Sequence, residues 1–264
     1  MPEQLSKADR DWQLQHYAAA GKEYGNKHFT QAECEFTDWI LGKIAAVNPT
    51  ARSIAEIGAG TCIFSSLLGK RLRTDKPVTC YEPVAPLLEA AAEFDNVEVT
   101  CGDAVEFGRS AAAECFDLVF TKDTAHHFAS ETLDEIHAGI FEKLVSGGYY
   151  VMVVRVPPRG DVVPVGDIAA SRWAGLYTSF DELLDSLRRV NRCQIVETDR
   201  WENYVGTPVS EWLDGIRRRD TWSVFSALTG HEIGETVRQL EAQFDGDERF
   251  PFLHQYDICI TKKT

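Results

Sequence analysis

Between residues 53 and 156 short apolar runs alternate with amphipathic stretches, and this alternation constrains the fold more than any other feature of the chain. Residues 53–57, 78–82, 97–101, 116–121 and 149–156 have the length and apolar content of buried strands. Residues 62–73, 86–94 and 133–145 carry helical spacing between them. Strand and helix in turn, joined by short connections, give a mostly parallel sheet covered on both faces, and right-handed crossovers leave few topologies.

The flanks complete the expectation. Residues 7–47 read as helical, with Trp12, Tyr17, Phe29, Phe36, Trp39, Ile40 and Ile44 at mixed helical spacing, ended by Asn48-Pro49. After Val156, a Pro157-Pro158-Arg159-Gly160 stop leads into an irregular stretch over 161–178 and a helix over 180–190. One strand or two over 194–205 and a last strand over 254–261 enclose helices near 209–219 and 229–244. The expected fold class is α/β: a doubly wound, seven-stranded, mostly parallel sheet whose last strands are antiparallel. Residues 1–49 are expected as an N-terminal helical lid, 50–205 with 251–264 as the core, and 206–250 as a helical cap insertion.

Composition narrows the function. The 264 residues are 44 % hydrophobic and carry a net charge of −14, a poor match to nucleic-acid backbones or anionic membranes. The seven cysteines show no ligand-pair spacing, so no metal site is expected. The polar start, Met1 to Arg10, lacks the apolar segment of a signal peptide, and the expected location is cytoplasmic. Oligomeric state leaves no trace in the sequence.

The segment Glu56-Ile57-Gly58-Ala59-Gly60-Thr61-Cys62 leaves a strand and opens a helix. Glycines there let the backbone turn sharply and approach a ligand that a Cβ would exclude. The second strand ends in Glu82, whose carboxylate suits ribose hydroxyls, and the third in Gly102-Asp103-Ala104. A dinucleotide is disfavoured: the third glycine of its fingerprint would fall at Ile63, and Glu56 crowds a pyrophosphate. A cationic sulfonium tolerates that carboxylate.

On these residues the chain resembles the class I S-adenosylmethionine-dependent methyltransferases, with a Rossmann-like core, strongly over 50–156 and loosely beyond. The resemblance implies that Glu56, Gly58 and Gly60 form the loop on the methionine side, that Glu82 with Pro83 holds the ribose, and that Asp103, between Gly102 and Ala104, meets the adenine amino group. Thr121 to Thr124, Lys122 among them, border the methionine moiety and the acceptor, and Tyr17 and Tyr24 lie on the lid, where their phenols either reach the methionine carboxylate or the substrate or pack in the core. S-adenosylhomocysteine is the implied product. Cys62 departs from the family pattern, standing at the usual third glycine.

Methyl transfer is an in-line displacement that needs alignment, a dry pocket and, for a protonated nucleophile, a base. His126 and His127, after the fourth strand, are the candidates for the base, with local packing as their plainer role. Lys122 and Asp123 either pair together or, for Asp123, help hold the cofactor. Arg155 and Arg159 suit an acceptor carboxylate or phosphate, or else surface ion pairs. Trp173, Tyr177, Trp201, Tyr204, Trp212 and Trp222 either line an acceptor pocket or fix the cap to its domain. Arg217-Arg218-Arg219 reads as a solvated helix face. The expected activity is methylation of a small molecule. The alternatives are a cofactor-binding relative that catalyses a non-methyl reaction, or a non-catalytic binding protein.

Overall fold

The computed structural model describes residues 8–21, 31–110, 112–158, 163–244 and 249–264. Seven strands, β1 (Ile54–Ile57), β2 (Val78–Glu82), β3 (Val97–Cys101), β4 (Phe116–Lys122), β5 (Leu144–Arg155), β6 (Cys193–Pro208) and β7 (Arg249–Lys263), join one sheet in the order β3-β2-β1-β4-β5-β7-β6. Pairs β1–β2, β2–β3, β1–β4 and β4–β5 are parallel, and β7 runs antiparallel to β5. The strand order reverses between β1 and β4, the kind of switch point beyond whose strand ends ligands bind in open α/β sheets.

The helices are α1 (Ala8–Ala20), α2 (Gln31–Val47), α3 (Ile63–Leu72), α4 (Ala85–Leu88), α5 (Ala104–Arg109), α6 (Leu133–Lys143), α7 (Gly166–Leu176), α8 (Phe180–Arg189), α9 (Val209–Arg218) and α10 (Gly230–Gln243). The chain divides into two compact units: a sheet unit of Gly21–Arg155, Thr178–Trp201 and Tyr256–Thr264, and a helical unit of Met1–Ala20, Val156–Tyr177 and Glu202–Gln255.

Strand alternation builds the sheet unit. Ile54, Leu118, Phe120, Val151 and Val153 face one way, into a core with Phe36, Ile40 and Ile44 of α2 and Leu68 of α3. Ala55, Ile57, Val119, Tyr150 and Met152 face the other, against Phe107, Ile136, Ile140, Leu183 and Leu187 of α5, α6 and α8. Both faces of the central strands are therefore dry, which is why they read as continuous apolar runs. Each fully buried large side chain contributes about 1.5–3 kcal/mol.

The helical unit has its own core. Val163, Val165, Ala169 and Trp173 pack with Trp212, Leu213, Phe225 and Val237. Here the structure departs from expectation. Residues 161–178, read as irregular, contain α7, because Val165, Ala169, Trp173 and Tyr177 recur every fourth residue and are all buried. The helical unit is also wider than 206–250: the 156–177 segment shares its core, and α1 joins it, His16 Nδ1 lying 2.7 Å from Ser226 Oγ. Helix α2, expected in one lid with α1, belongs instead to the sheet unit, because Phe36, Ile40 and Ile44 are fully buried there.

Candidate cofactor and acceptor site

Strand β1 runs straight into the glycine turn. Gly58, Gly60 and Cys62 all take left-handed backbone, with φ of 72°, 54° and 61°. The turn is tied to β2, the Gly58 and Ala59 N–H groups donating to the Tyr81 carbonyl at 2.7 and 3.1 Å. The two glycines differ in their surroundings. A Cβ on Gly58 would come within 2.2 Å of Thr124, whereas one on Gly60 would meet nothing within 4 Å. Cys62 precedes α3, fully buried, and its N–H donates to Ala59 O at 2.8 Å.

Two carboxylates flank the turn. Glu56 is buried at the end of β1 and accepts from Ser65 Oγ of α3. Burial pushes its pKa up to about 8, against the opposing pull of the Ser65 hydroxyl and Lys122. Glu82, at the end of β2, is a cross-brace: Oε2 accepts from the Gly60 N–H and Oε1 from the Val84 N–H, each at 2.9 Å. Its burial also raises its pKa, more than these two donors lower it.

The end of β3 joins the same set, the Gly102 N–H donating to the Glu82 carbonyl at 3.2 Å. Pro83 is exposed beside it, Gly102 and Ala104 are buried, and Asp103 is exposed. Asp103 caps α5: Oδ1 accepts the Glu106 N–H at 2.8 Å and Glu106 Oε2 accepts the Asp103 N–H at 2.8 Å. Glu56, Gly58, Gly60, Glu82, Pro83, Gly102, Asp103 and Ala104 thus share one edge of the sheet, at the carboxyl ends of β1, β2 and β3.

Lys122 ends β4, its Nζ 5.5 Å from the Phe36 ring centre and 3.6 Å from Asp123 Oδ2. Asp123 takes left-handed backbone at φ 54°, its N–H donating to Val153 O at 2.9 Å. Thr124 then reaches back, Oγ1 donating to Gly58 O at 3.1 Å. In the turn that follows, the rings of His126 and His127 lie 4.1 Å apart, and the His126 carbonyl accepts the Thr178 N–H at 2.9 Å. Burial pushes the His126 imidazole down to about 4, although Asp123 pulls the other way. His126 is therefore neutral near pH 7.

Arg155, at the end of β5, is turned inward. Its guanidinium lies 4.6 Å from the Tyr256 ring centre, donates to the Tyr256 hydroxyl and stands 3.7 Å from Asp123 Oδ2. Tyr256 in turn stacks on Phe36 at 3.9 Å. Sequence reasoning missed the cross-bracing by Thr124 and the strained backbone of Asp123; the one available signal is that Asp enters the left-handed region more readily than most residues.

Tyr17 lies in the helical unit, its ring 5.1 Å from that of His16. Tyr24 and Arg159 fall outside the described residues. Trp173, Tyr177, Trp212 and Trp222 pack together within the helical unit, Trp201 lies against Phe36 and Tyr256 in the sheet unit, and Tyr204 is exposed. Arg217 pairs with Asp214 and Glu241, and Arg218 with Asp220, on exposed helix surface. Among the described residues no group of three or more His, Cys, Asp or Glu side chains could hold a metal ion, and no helix is long and apolar enough to cross a membrane.

Residues 54–148 match the family model of the methyltransferase domain. The fold is shared with solved structures of low sequence identity. The N-methyltransferase NodS from Bradyrhizobium japonicum, in complex with S-adenosylhomocysteine, is 11 % identical with a TM-score of 0.58, the match covering 95 % of this chain and 96 % of that one. Geranyl diphosphate methyltransferase, in complex with geranyl diphosphate and sinefungin, is 18 % identical with a TM-score of 0.53, over 88 % of this chain and 78 % of that one. The [4+2]-cyclase SpnF is 17 % identical with a TM-score of 0.54, over 86 % and 80 %. No curated protein matches the chain in sequence. Residues 54–148, the glycine turn among them, match a methyltransferase domain, and the chain shares the fold of these solved methyltransferase structures.

Proposed function

We propose that the protein transfers a methyl group from S-adenosylmethionine to a small-molecule acceptor, leaving S-adenosylhomocysteine. The reading rests above all on one observation: open space lies over Gly60, in left-handed backbone, directly beside the Glu82 carboxylate. A ligand carrying paired hydroxyls fits such a cradle, and a side chain there would fill it.

In this reading Gly58 and Gly60 bring backbone against the methionine side, with Lys122 and the buried, uncharged Glu56 behind it. Glu82, beside Pro83, adds ribose hydroxyls to the two backbone donors it already holds. Asp103 meets the adenine amino group through the oxygen other than the capping one, between Gly102 and Ala104. When bound, the cofactor supplies a methyl group on a cationic sulfur. The chain's own residues align the acceptor, exclude water and receive a proton where the nucleophile carries one. His127 is the better base, since burial holds His126 far below neutrality. The acidic surface, at net −14, favours a small acceptor over a nucleic acid.

Titration of the purified protein with S-adenosylmethionine and, separately, NAD tests the reading. Micromolar binding of the first alone supports it, and binding of NAD instead overturns it. The likeness in fold to a cyclase makes a non-methyl reaction the second reading. Release of S-adenosylhomocysteine in the presence of an acceptor separates the two.

A further inference from the structure

Cys62 departs from the family pattern at the end of the glycine turn, and the proposed methyl transfer makes no use of its thiol. Its backbone is left-handed, with φ 61° and ψ 11°, a conformation that glycine takes more easily than any residue with a Cβ. The side chain is fully buried, in the core that Ile54, Phe64, Leu68 and Val78 share. There it meets a second thiol. Cys80, in the middle of β2 and also fully buried, is hydrogen-bonded through its sulfur to that of Cys62. Both are free thiols, each also near a main-chain carbonyl: Gly60 O lies 3.9 Å from Cys62 Sγ, and Val78 O 3.5 Å from Cys80 Sγ. Next to Cys80, the Tyr81 carbonyl takes the Gly58 and Ala59 N–H groups. The two sulfurs therefore join the end of the turn to the strand that anchors its beginning.

We propose that Cys62 and Cys80 are a redox-sensitive pair that a hydroperoxide closes into a disulfide, and that this bond moves the glycine turn out of its ligand-binding form. Closure follows from the thiol contact alone; its effect on the cofactor rests on the methyltransferase reading above. Cys62, in the turn, is the thiol that local opening exposes first, whereas Cys80 is held in β2 between β1 and β3. The Cys62 proton goes to solvent and the thiolate attacks one peroxide oxygen; the O–O bond breaks, leaving a sulfenic acid and hydroxide. The Cys80 sulfur then attacks the Cys62 sulfur; the S–S bond forms, the S–O bond breaks, and the Cys80 proton leaves with that oxygen as water. The thiols lose two electrons and hydrogen peroxide becomes two waters. The hydrogen bond to Cys80 and burial hold the Cys62 thiol far above its ordinary range, so the pair is inert while the turn stays closed. A small peroxide suits such a site better than a bulky disulfide. Closure draws the sulfurs to about 2.0 Å. Cys62 closely follows Gly60, whose N–H meets Glu82 Oε2 at 2.9 Å, so the pull towards β2 disturbs that bond and the open space over Gly60.

Protein carrying Cys34→Ser and Cys101→Ser, which removes the exposed thiols, tests the proposal after incubation with hydrogen peroxide at roughly pH 8. Mass spectrometry of the digest should show a peptide linked through Cys62 and Cys80 that disappears with dithiothreitol, and the Gly60 amide resonance should move on linking. Affinity for S-adenosylhomocysteine should fall about tenfold on linking and return on reduction. Cys80→Ala should bind S-adenosylhomocysteine within roughly twofold of the parent, before and after peroxide. Cys62→Gly, free of the left-handed strain, should also lose the response to peroxide, and it serves where Cys80→Ala fails to fold. Absence of the Cys62–Cys80 peptide, or linkage of either thiol to another cysteine in its place, overturns the proposal. So does a linked protein that binds S-adenosylhomocysteine within roughly twofold of the reduced one. Failure of the reduced protein to bind S-adenosylhomocysteine at all removes the cofactor reading instead, and the linked peptide with the Gly60 amide then decides whether the pair moves the turn.

Discussion

Thr124 locks Gly58: its Oγ1 donates to the Gly58 carbonyl at 3.1 Å, and a Cβ on that glycine would stand 2.2 Å from the threonine side chain. The loop after β4 and the turn after β1 are therefore one assembly, spanning the point where the strand order reverses. Two glycines in that turn share a left-handed backbone and differ only in what lies above them.

That difference separates stability from binding. Gly58→Ala meets both strain and a side chain that has no room to retreat, and should cost about 2–4 kcal/mol. Gly60→Ala meets strain alone and should cost about 1 kcal/mol. On the proposed reading both lose cofactor affinity, Gly60→Ala because its methyl fills the cradle. Denaturant titration and calorimetry check the pair; a Gly60→Ala protein that binds S-adenosylmethionine like wild type would place the cofactor elsewhere.

Glu82→Gln removes one of the two oxygens that brace Gly60 and Val84. The amide nitrogen cannot accept, so one buried N–H is left unpaired at a cost of about 1–3 kcal/mol. S-adenosylmethionine affinity should fall about ten- to a hundredfold, since the neutral amide also loses the charge-assisted bonds to ribose hydroxyls. Isothermal titration reads the second effect separately from the melting temperature.

Much of this was legible in the sequence because it is local. The apolar runs at β1, β2, β4 and β5 announce themselves, and Glu82 and Asp103 sit where those runs and β3 end. What was not legible depends on distant partners or on mixed signals. Arg155 reads as available to an acceptor, but Tyr256, 101 residues further on, turns it inward. Helix α7 hides behind Pro164 and Gly166, breakers whose cost is met by the burial of Trp173. The strain at Asp123 has little mark in the sequence beyond the tolerance of Asp for left-handed backbone, because Val153 and Arg155, which hold it, come from the next strand.

Glu56 should make stability depend on pH. Its folded pKa, about 8, lies above the unfolded value of roughly 4.3, so the folded state keeps a proton that the unfolded chain releases. The corresponding stability is complete below roughly pH 4 and is lost as pH rises towards 8. Glu56→Gln, neutral throughout, should flatten that decline. Unfolding free energies of both proteins between pH 5 and roughly pH 8.5 check this; parallel curves would mean that Glu56 is ionised in the fold.

His126 runs the other way. Its folded pKa of about 4 lies below the unfolded value of roughly 6.5, so its stabilising contribution is present above pH 6.5 and fades as pH falls towards 4. The ring proton shifts of His126 in an NMR titration should stay constant from roughly pH 8 to pH 6. A midpoint near neutrality would restore His126 as a candidate base.

The helical unit should fail separately from the sheet unit. Trp212 Nε1–H donates to the Pro164 carbonyl at 2.7 Å, at the centre of the core that Trp173, Phe225 and Phe252 share. Trp212→Phe leaves that carbonyl without its donor, at about 1–3 kcal/mol, and Trp212→Ala adds a cavity for a total of about 3–5 kcal/mol. Its neighbours in that core all come from the helical unit, while β4 and β5 are buried by a different set of side chains. Hydrogen exchange on Trp212→Ala should therefore lose protection over α7, α9 and α10 before it does so over β4 and β5. Equal loss in both would mean that the two cores unfold as one cooperative unit, and the division of the chain would then describe packing without describing stability.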